Sequence, residues 1–164
     1  MRAPLLLAVL SLLLAGCATP ERTGTAPGPD EGRALSFTPM DECGSTQASE
    51  LNTVVQGQQE WEQLWERSCR GGPLDAEDQP PPEVDFARSS VVASFWGEKS
   101  TGGYSVRILA ITEMDDHVLI EVERAAPPPT CPVIQVLTYP HAMARSEKLT
   151  KAARFSFQDI VTEC

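Results

Sequence analysis

From Ser90 onward the apolar residues come in short runs, none long enough for a packed helix of ordinary length. Ser90–Trp96 (SVVASFW), Tyr104–Ile111 (YSVRILAI), Val118–Glu123 (VLIEVE) and Val133–Tyr139 (VIQVLTY) are rich in β-branched and aromatic residues. Each is bounded by Gly, Pro or acidic turn residues, the pattern of strands separated by turns. In Tyr104–Ile111 one phase carries Tyr104, Val106, Ile108 and Ala110; the other carries Ser105, Arg107, Leu109 and Ile111, polar first and apolar at the far end. Val118, Ile120 and Val122 point one way, Glu121 and Glu123 the other, and Asp115-Asp116 reads as a tight turn between these two strands. Leu51–Val55 and residues 154–161, with Phe155 and Phe157, complete a set of about six strands. Only Gln58–Ser68 has a helical period: Trp61, Leu64 and Trp65 share one face, with Glu60 and Glu62 in the first turn and Arg67 in the last. The expected fold is α+β, a mainly antiparallel sheet or sandwich with one covering helix at about 58–68. The two tryptophans read as the packing face of that helix rather than as a ligand shelf.

The N-terminus reads as an address. Met1-Arg2 is followed by a leucine-rich stretch, Leu5–Leu14, too short to span a bilayer as a helix. It ends in Leu14-Ala15-Gly16-Cys17, which resembles the lipobox of bacterial lipoproteins. The resemblance implies a signal peptide over 1–16, a lipidated Cys17, and residues 17–34 as lipidated N-terminus and flexible tether. Residues 35–164 are then a single globular domain. With Ala at position 18, the lipoprotein sorting rule implies the bacterial outer membrane. Palmitate is among the acyl chains expected on Cys17.

Five cysteines are present. With Cys17 assigned to lipid, Cys43, Cys69, Cys131 and Cys164 remain, an even set in an exported chain, and disulfides are expected. Four cysteines allow three connectivities. We favour Cys43–Cys164 with Cys69–Cys131, which would tie the two ends of the domain and join the helix end to a proline-rich loop. No C-x-x-C spacing is present, so no metal site is expected.

Acids outnumber bases 23 to 13, for a net charge of −10. Cleavage before Cys17 removes Arg2 and takes it to −11. A basic face for nucleic acid is absent, and no nucleic-acid partner is expected. Catalytic constellations are also missing. G-x-S-x-G, H-E-x-x-H and a phosphate loop leading into a helix do not occur. His117 and His141 read as surface histidines, Glu121 and Glu123 as solvated strand residues, and Asp75, Glu77 and Asp78 as an acidic loop within Arg70–Glu83. The expectation is no enzyme, no cofactor and no small-molecule substrate.

Several segments together carry a family resemblance: Val84-Asp85-Phe86, the strand through Gly97, Lys99–Val106 (KSTGGYSV), the Pro127–Pro129 loop and Gln135–Pro140 (QVLTYP). This stretch resembles the C-terminal domain of the PrcB family, the lipoprotein subunit of a surface protease complex. The Glu60-Trp61 to Trp65 segment resembles that family's E-W-x-x-L-W helix. The resemblance implies a PrcB-like domain that is a non-catalytic accessory of the cell envelope, with a protein partner such as a protease. Thr101-Gly102-Gly103-Tyr104 also looks like the T-T-G-Y loop of chagasin-type cysteine-protease inhibitors, with Glu98-Lys99-Ser100 where those have Asn-Pro. An alternative function is therefore protease inhibition through the 99–104 loop. The residues expected to meet a partner are Lys99, Ser100, Thr101, Gly102, Gly103 and Tyr104.

Overall fold

The computed structural model describes residues 32–40, 43–69 and 80–164. The expected signal peptide, Cys17, most of the tether and most of the acidic 70–83 loop lie outside them. Eight strands and one helix follow in the order β1 (Arg33–Ala34), β2 (Phe37–Met40), β3 (Glu50–Val55), α1 (Gln58–Ser68), β4 (Ser89–Trp96), β5 (Ser105–Glu113), β6 (Val118–Ala126), β7 (His141–Glu147) and β8 (Ala153–Val161). They form two four-stranded sheets, ordered β1-β5-β6-β8 and β2-β7-β4-β3. The sheets pack as a sandwich, and α1 covers the outer face of the second. All pairings are antiparallel except β6 with β8, which run parallel.

β4 explains the layering. Its residues are buried on both faces, which is why its sequence is a near-continuous apolar run. Val91, Ala93 and Phe95 belong to a core shared with Trp61, Leu64 and Trp65 of the helix. Val92, on the other face, joins Val106, Ile111, Val118, Ile120 and Val122 between the sheets. Trp61 is fully buried, its indole N–H donates to the Pro82 carbonyl at 2.9 Å, and it meets Trp65 edge-on. The tryptophans are core, as the helical period predicts.

The two-faced pattern of β5 has a local cause. Its register against β6 shifts between Ile108 and Ala110, a bulge that leaves Leu109 unpaired. Beyond it the inward phase changes, so Val106 and Ile111 are both buried while Leu109 is 42% exposed. The turn falls where Asp115-Asp116 predicts, closed by the Met114 N–H donating to the His117 carbonyl.

Three expectations are corrected. Residues 133–139 are not a strand. Pro127, Pro128, Pro129, Pro132 and Pro140 around them supply no N–H donors, and the segment's only ladder contact is an isolated bridge between Lys99 and Thr138. The strand in its place is β7, whose HAMARSE sequence has little β propensity; it is held as a central strand between β2 and β4. With β1 and β2 added, the strands number about eight rather than six, and β1 takes in Arg33 and Ala34, residues assigned to the tether. The disulfides are Cys43–Cys69 and Cys131–Cys164, not the favoured pairing. Cys43 follows β2 and Cys69 follows α1, and both are buried in the core under the helix, whereas Cys131 and Cys164 meet at the end where β6 and the parallel β8 both finish.

The junction of β1 and β2 is clamped by charge. Arg33 reaches Glu113 at 2.8 Å and Glu147 at 3.1 Å. Glu147 also accepts from the Ser36 backbone N–H at 3.0 Å and the Ser36 hydroxyl at 2.9 Å. These bonds, the Ser36 N–H first, hold the Glu147 carboxyl down at about 2, from an ordinary 4.5. A depressed acid stabilises the fold above its unfolded pKa and loses that contribution as pH falls through its folded one. Stability should therefore decline between about pH 4.5 and 2. A Glu147→Gln variant should show a smaller decline in thermal melts across that window; an identical decline would remove Glu147 as its cause.

Candidate functional site

One end of the sandwich gathers the loops that the strands leave behind. The 97–104 segment joins β4 to β5, the 127–140 segment joins β6 to β7, and Thr162–Cys164 ends the chain beside them. β4 turns out at Gly97, whose φ of +78° suits glycine and whose added Cβ would lie 2.8 Å from the Ala48 carbonyl oxygen.

The 99–104 loop is held from beneath the 127–140 loop. Lys99 and Thr138 exchange backbone hydrogen bonds at 2.8 and 2.9 Å, and the Gly102 N–H donates to the Ile134 carbonyl at 3.0 Å. The Thr138 hydroxyl donates to the Thr101 carbonyl at 2.8 Å. Lys99 Nζ donates to the Trp96 carbonyl and sits 4.4 Å from the Trp96 ring centroid, a cation–π contact, while Tyr104 packs edge-on against the same ring. Of the six residues expected to face a partner, Gly102 is buried, Lys99, Thr101 and Tyr104 are half-buried, and Ser100 and Gly103 are exposed. The loop acts as a shelf: a Cβ on Gly102 would lie 2.8 Å from the Ile134 side chain.

What the shelf supports is apolar and open. Ile134, Val136 and Leu137 are 71%, 47% and 56% exposed, half of the large exposed hydrophobics among the described residues. The segment that bears them is pinned on both sides, by Cys131–Cys164 and by the Thr138 bridge. Tyr139 adds a third hold, its hydroxyl donating to Glu98 at 3.0 Å, and that bond, first among its causes, keeps the phenol above its usual range. A preformed apolar surface of this kind has little ordering entropy left to lose on binding a protein. Sequence reasoning missed these residues as a surface because VIQVL resembles a buried strand. The available signal was that apolar residues occupy both phases of a segment boxed by prolines, where no ladder can bury them.

The histidines lie apart from this end or inside it without a nucleophile. His117 pairs with Asp116, which also takes Arg154 at 3.2 Å; the bond to His117 is the first cause holding the Asp116 carboxyl below its usual range. His141 stacks on Phe95 and meets the Tyr139 carbonyl. Among the described residues no group of His, Cys, Asp or Glu is arranged to hold a metal, and no helix is long and apolar enough to cross a membrane.

Residues 90–147 match the model of a family described as PrcB C-terminal. The match runs from the second residue of β4 to the last residue of β7, so the matched segment contains both loops of the apolar end, the shelf and the surface it supports. The helix with its Glu60-Trp61 to Trp65 pattern, β8, and Cys164 of the disulfide to Cys131 lie outside the match. No curated protein and no solved structure matches the chain.

Proposed function

We propose that this chain is a non-catalytic accessory domain of the bacterial cell envelope, held by lipid on Cys17 to the outer membrane, that binds a protein of a protease complex. The PrcB C-terminal match supports the accessory role, and the lipobox resemblance supports the anchor. The observation that carries the binding role is the exposed, pinned surface of Ile134, Val136 and Leu137. The 99–104 loop supports that surface, which favours docking over insertion of that loop into a protease cleft as an inhibitor.

An Ile134→Asp/Leu137→Asp variant tests the surface. Affinity for the partner captured by the cross-linked full chain from its native envelope should fall at least about tenfold, while the melting temperature stays within a few degrees. Undiminished capture of a peptidase-containing complex would refute the surface. The anchor is tested separately: Cys17→Ser should move the chain from the membrane to the soluble fraction, and retention on the membrane would refute lipid at that residue.

A further inference from the structure

Among the described residues, the sandwich is open along one side. β5 has nine residues, but among the described residues β1 pairs with only two of them, Thr112 and Glu113. One more bond, from the Leu35 N–H to the Ile111 carbonyl, ends the contact, and the chain then crosses to the other sheet as β2. Among the described residues, 105–110 of β5 thus form a sheet edge with no strand beside it. Unpaired backbone donors and acceptors in such a row are a template for another strand.

Immediately inside that edge lies a cavity of about 400 Å³ between the sheets. Phe37 and Pro39 of β2, Ala142 and Ala144 of β7, and Val106 and Ile108 of β5 line it. The small residues of β7 leave the space that larger ones would fill. The opening begins beside His141, so it adjoins the end of the molecule that carries Ile134 to Leu137.

We propose that this seam takes an extended peptide segment of a partner protein, which adds to the β5 edge as a fifth strand and places its alternate, apolar side chains in the cavity. The two features select the same occupant. An open ladder edge recognises backbone, and a cavity of side-chain width beside it recognises every second residue of an extended chain. An acyl chain would use the cavity and leave the backbone edge unanswered. The seam is distinct from the Ile134–Leu137 surface and goes beyond the reading of that surface, so each can fail without the other.

The test pans a displayed library of linear twelve-residue peptides against the folded full-length domain. Enriched peptides should alternate apolar and polar residues, and their binding should slow amide hydrogen exchange at residues 105–110 at least tenfold at the positions not bonded to β6. An Ala142→Phe variant, which fills the cavity without touching the edge, should weaken the enriched peptides at least tenfold. Ala142→Val, a milder filling, covers the case in which the phenylalanine unfolds the domain and should weaken them less. The Ile134→Asp/Leu137→Asp variant should bind the peptides unchanged. No enrichment, protection elsewhere, or displacement of the peptides by palmitate with no change in exchange at 105–110 would overturn the proposal.

Discussion

A Trp61→Ala variant is expected to lose about 3–5 kcal/mol of stability, the range for removing a large aromatic side chain from a core. Trp61 has no exposed surface and lies between Leu64 on its own helix and the β4 face of Val91, Ala93 and Phe95. Truncation would open a cavity there and strand the Pro82 carbonyl that its indole now satisfies. It would also remove the edge-on contact with Trp65, whose ring centroid is 5.3 Å away. Because α1 is attached to the sheet chiefly through this face, far-UV circular dichroism should show the helix melting before the strands. Trp61→Phe, which keeps a ring and loses the hydrogen bond, should cost about 1–3 kcal/mol less than alanine. Urea unfolding measures both. A loss below about 1 kcal/mol for the alanine variant would mean that the helix is not packed on β4.

The two disulfides should be unequal in what they hold, although chain-entropy arithmetic makes them similar. Sequence separations of 26 and 33 correspond to about 3–4 kcal/mol each. Cys43 and Cys69 are buried in the core beneath α1, at 6% and 5% exposure, so a Cys43→Ser/Cys69→Ser variant places hydroxyls in that core and should approach or exceed the full loss. Cys131 and Cys164 are outside both cores. Their removal should free the chain end and the 127–140 loop, with a smaller change in global stability and a clear loss of partner affinity as the Ile134–Leu137 surface loses its preorganisation. Mass mapping of unreduced peptides should recover Cys43 with Cys69 and Cys131 with Cys164. A fragment joining Cys43 to Cys164 would overturn both expectations.

The helix, β3, β4, β5, β6 and β8 were legible because each carries its own period or an unbroken apolar run, and burial follows from it directly. β7 was not, since Ala142, Ala144 and Ser146 have no preference that marks a strand; Ala144 and Ser146 sit between β4 and β2, and Ala142 and Ala144 line the seam. β1 is two residues long and exists because Arg33 and Ala34 meet Thr112 and Glu113, which no local pattern encodes. Cysteine pairing failed for the same reason: it depends on where β2, α1, β6 and β8 end in space. At the candidate site, the Thr101-Gly102-Gly103-Tyr104 loop singled out in the sequence lies at the same end of the molecule as the exposed Ile134, Val136 and Leu137. The exposed apolar segment beside that loop was not legible, because the contacts that set it there, such as Gly102 to Ile134, join residues far apart in the chain.

The Arg33 clamp has a mechanical side. The described residues begin just before β1, against the Glu113 end of β5, while the apolar surface lies beyond Ser105, about 30 Å away at strand spacing. A pull applied upstream of Gly32 and resisted by a bound partner would load the protein lengthwise. β1 and β5 would then slide past one another rather than peel apart, and their two backbone pairs would share that load with the side chain of Arg33 on Glu113 and Glu147. A ladder of two pairs has few backbone bonds with which to resist such a load. Glu113 and Glu147, through Arg33, add two side-chain contacts to the resistance of that junction.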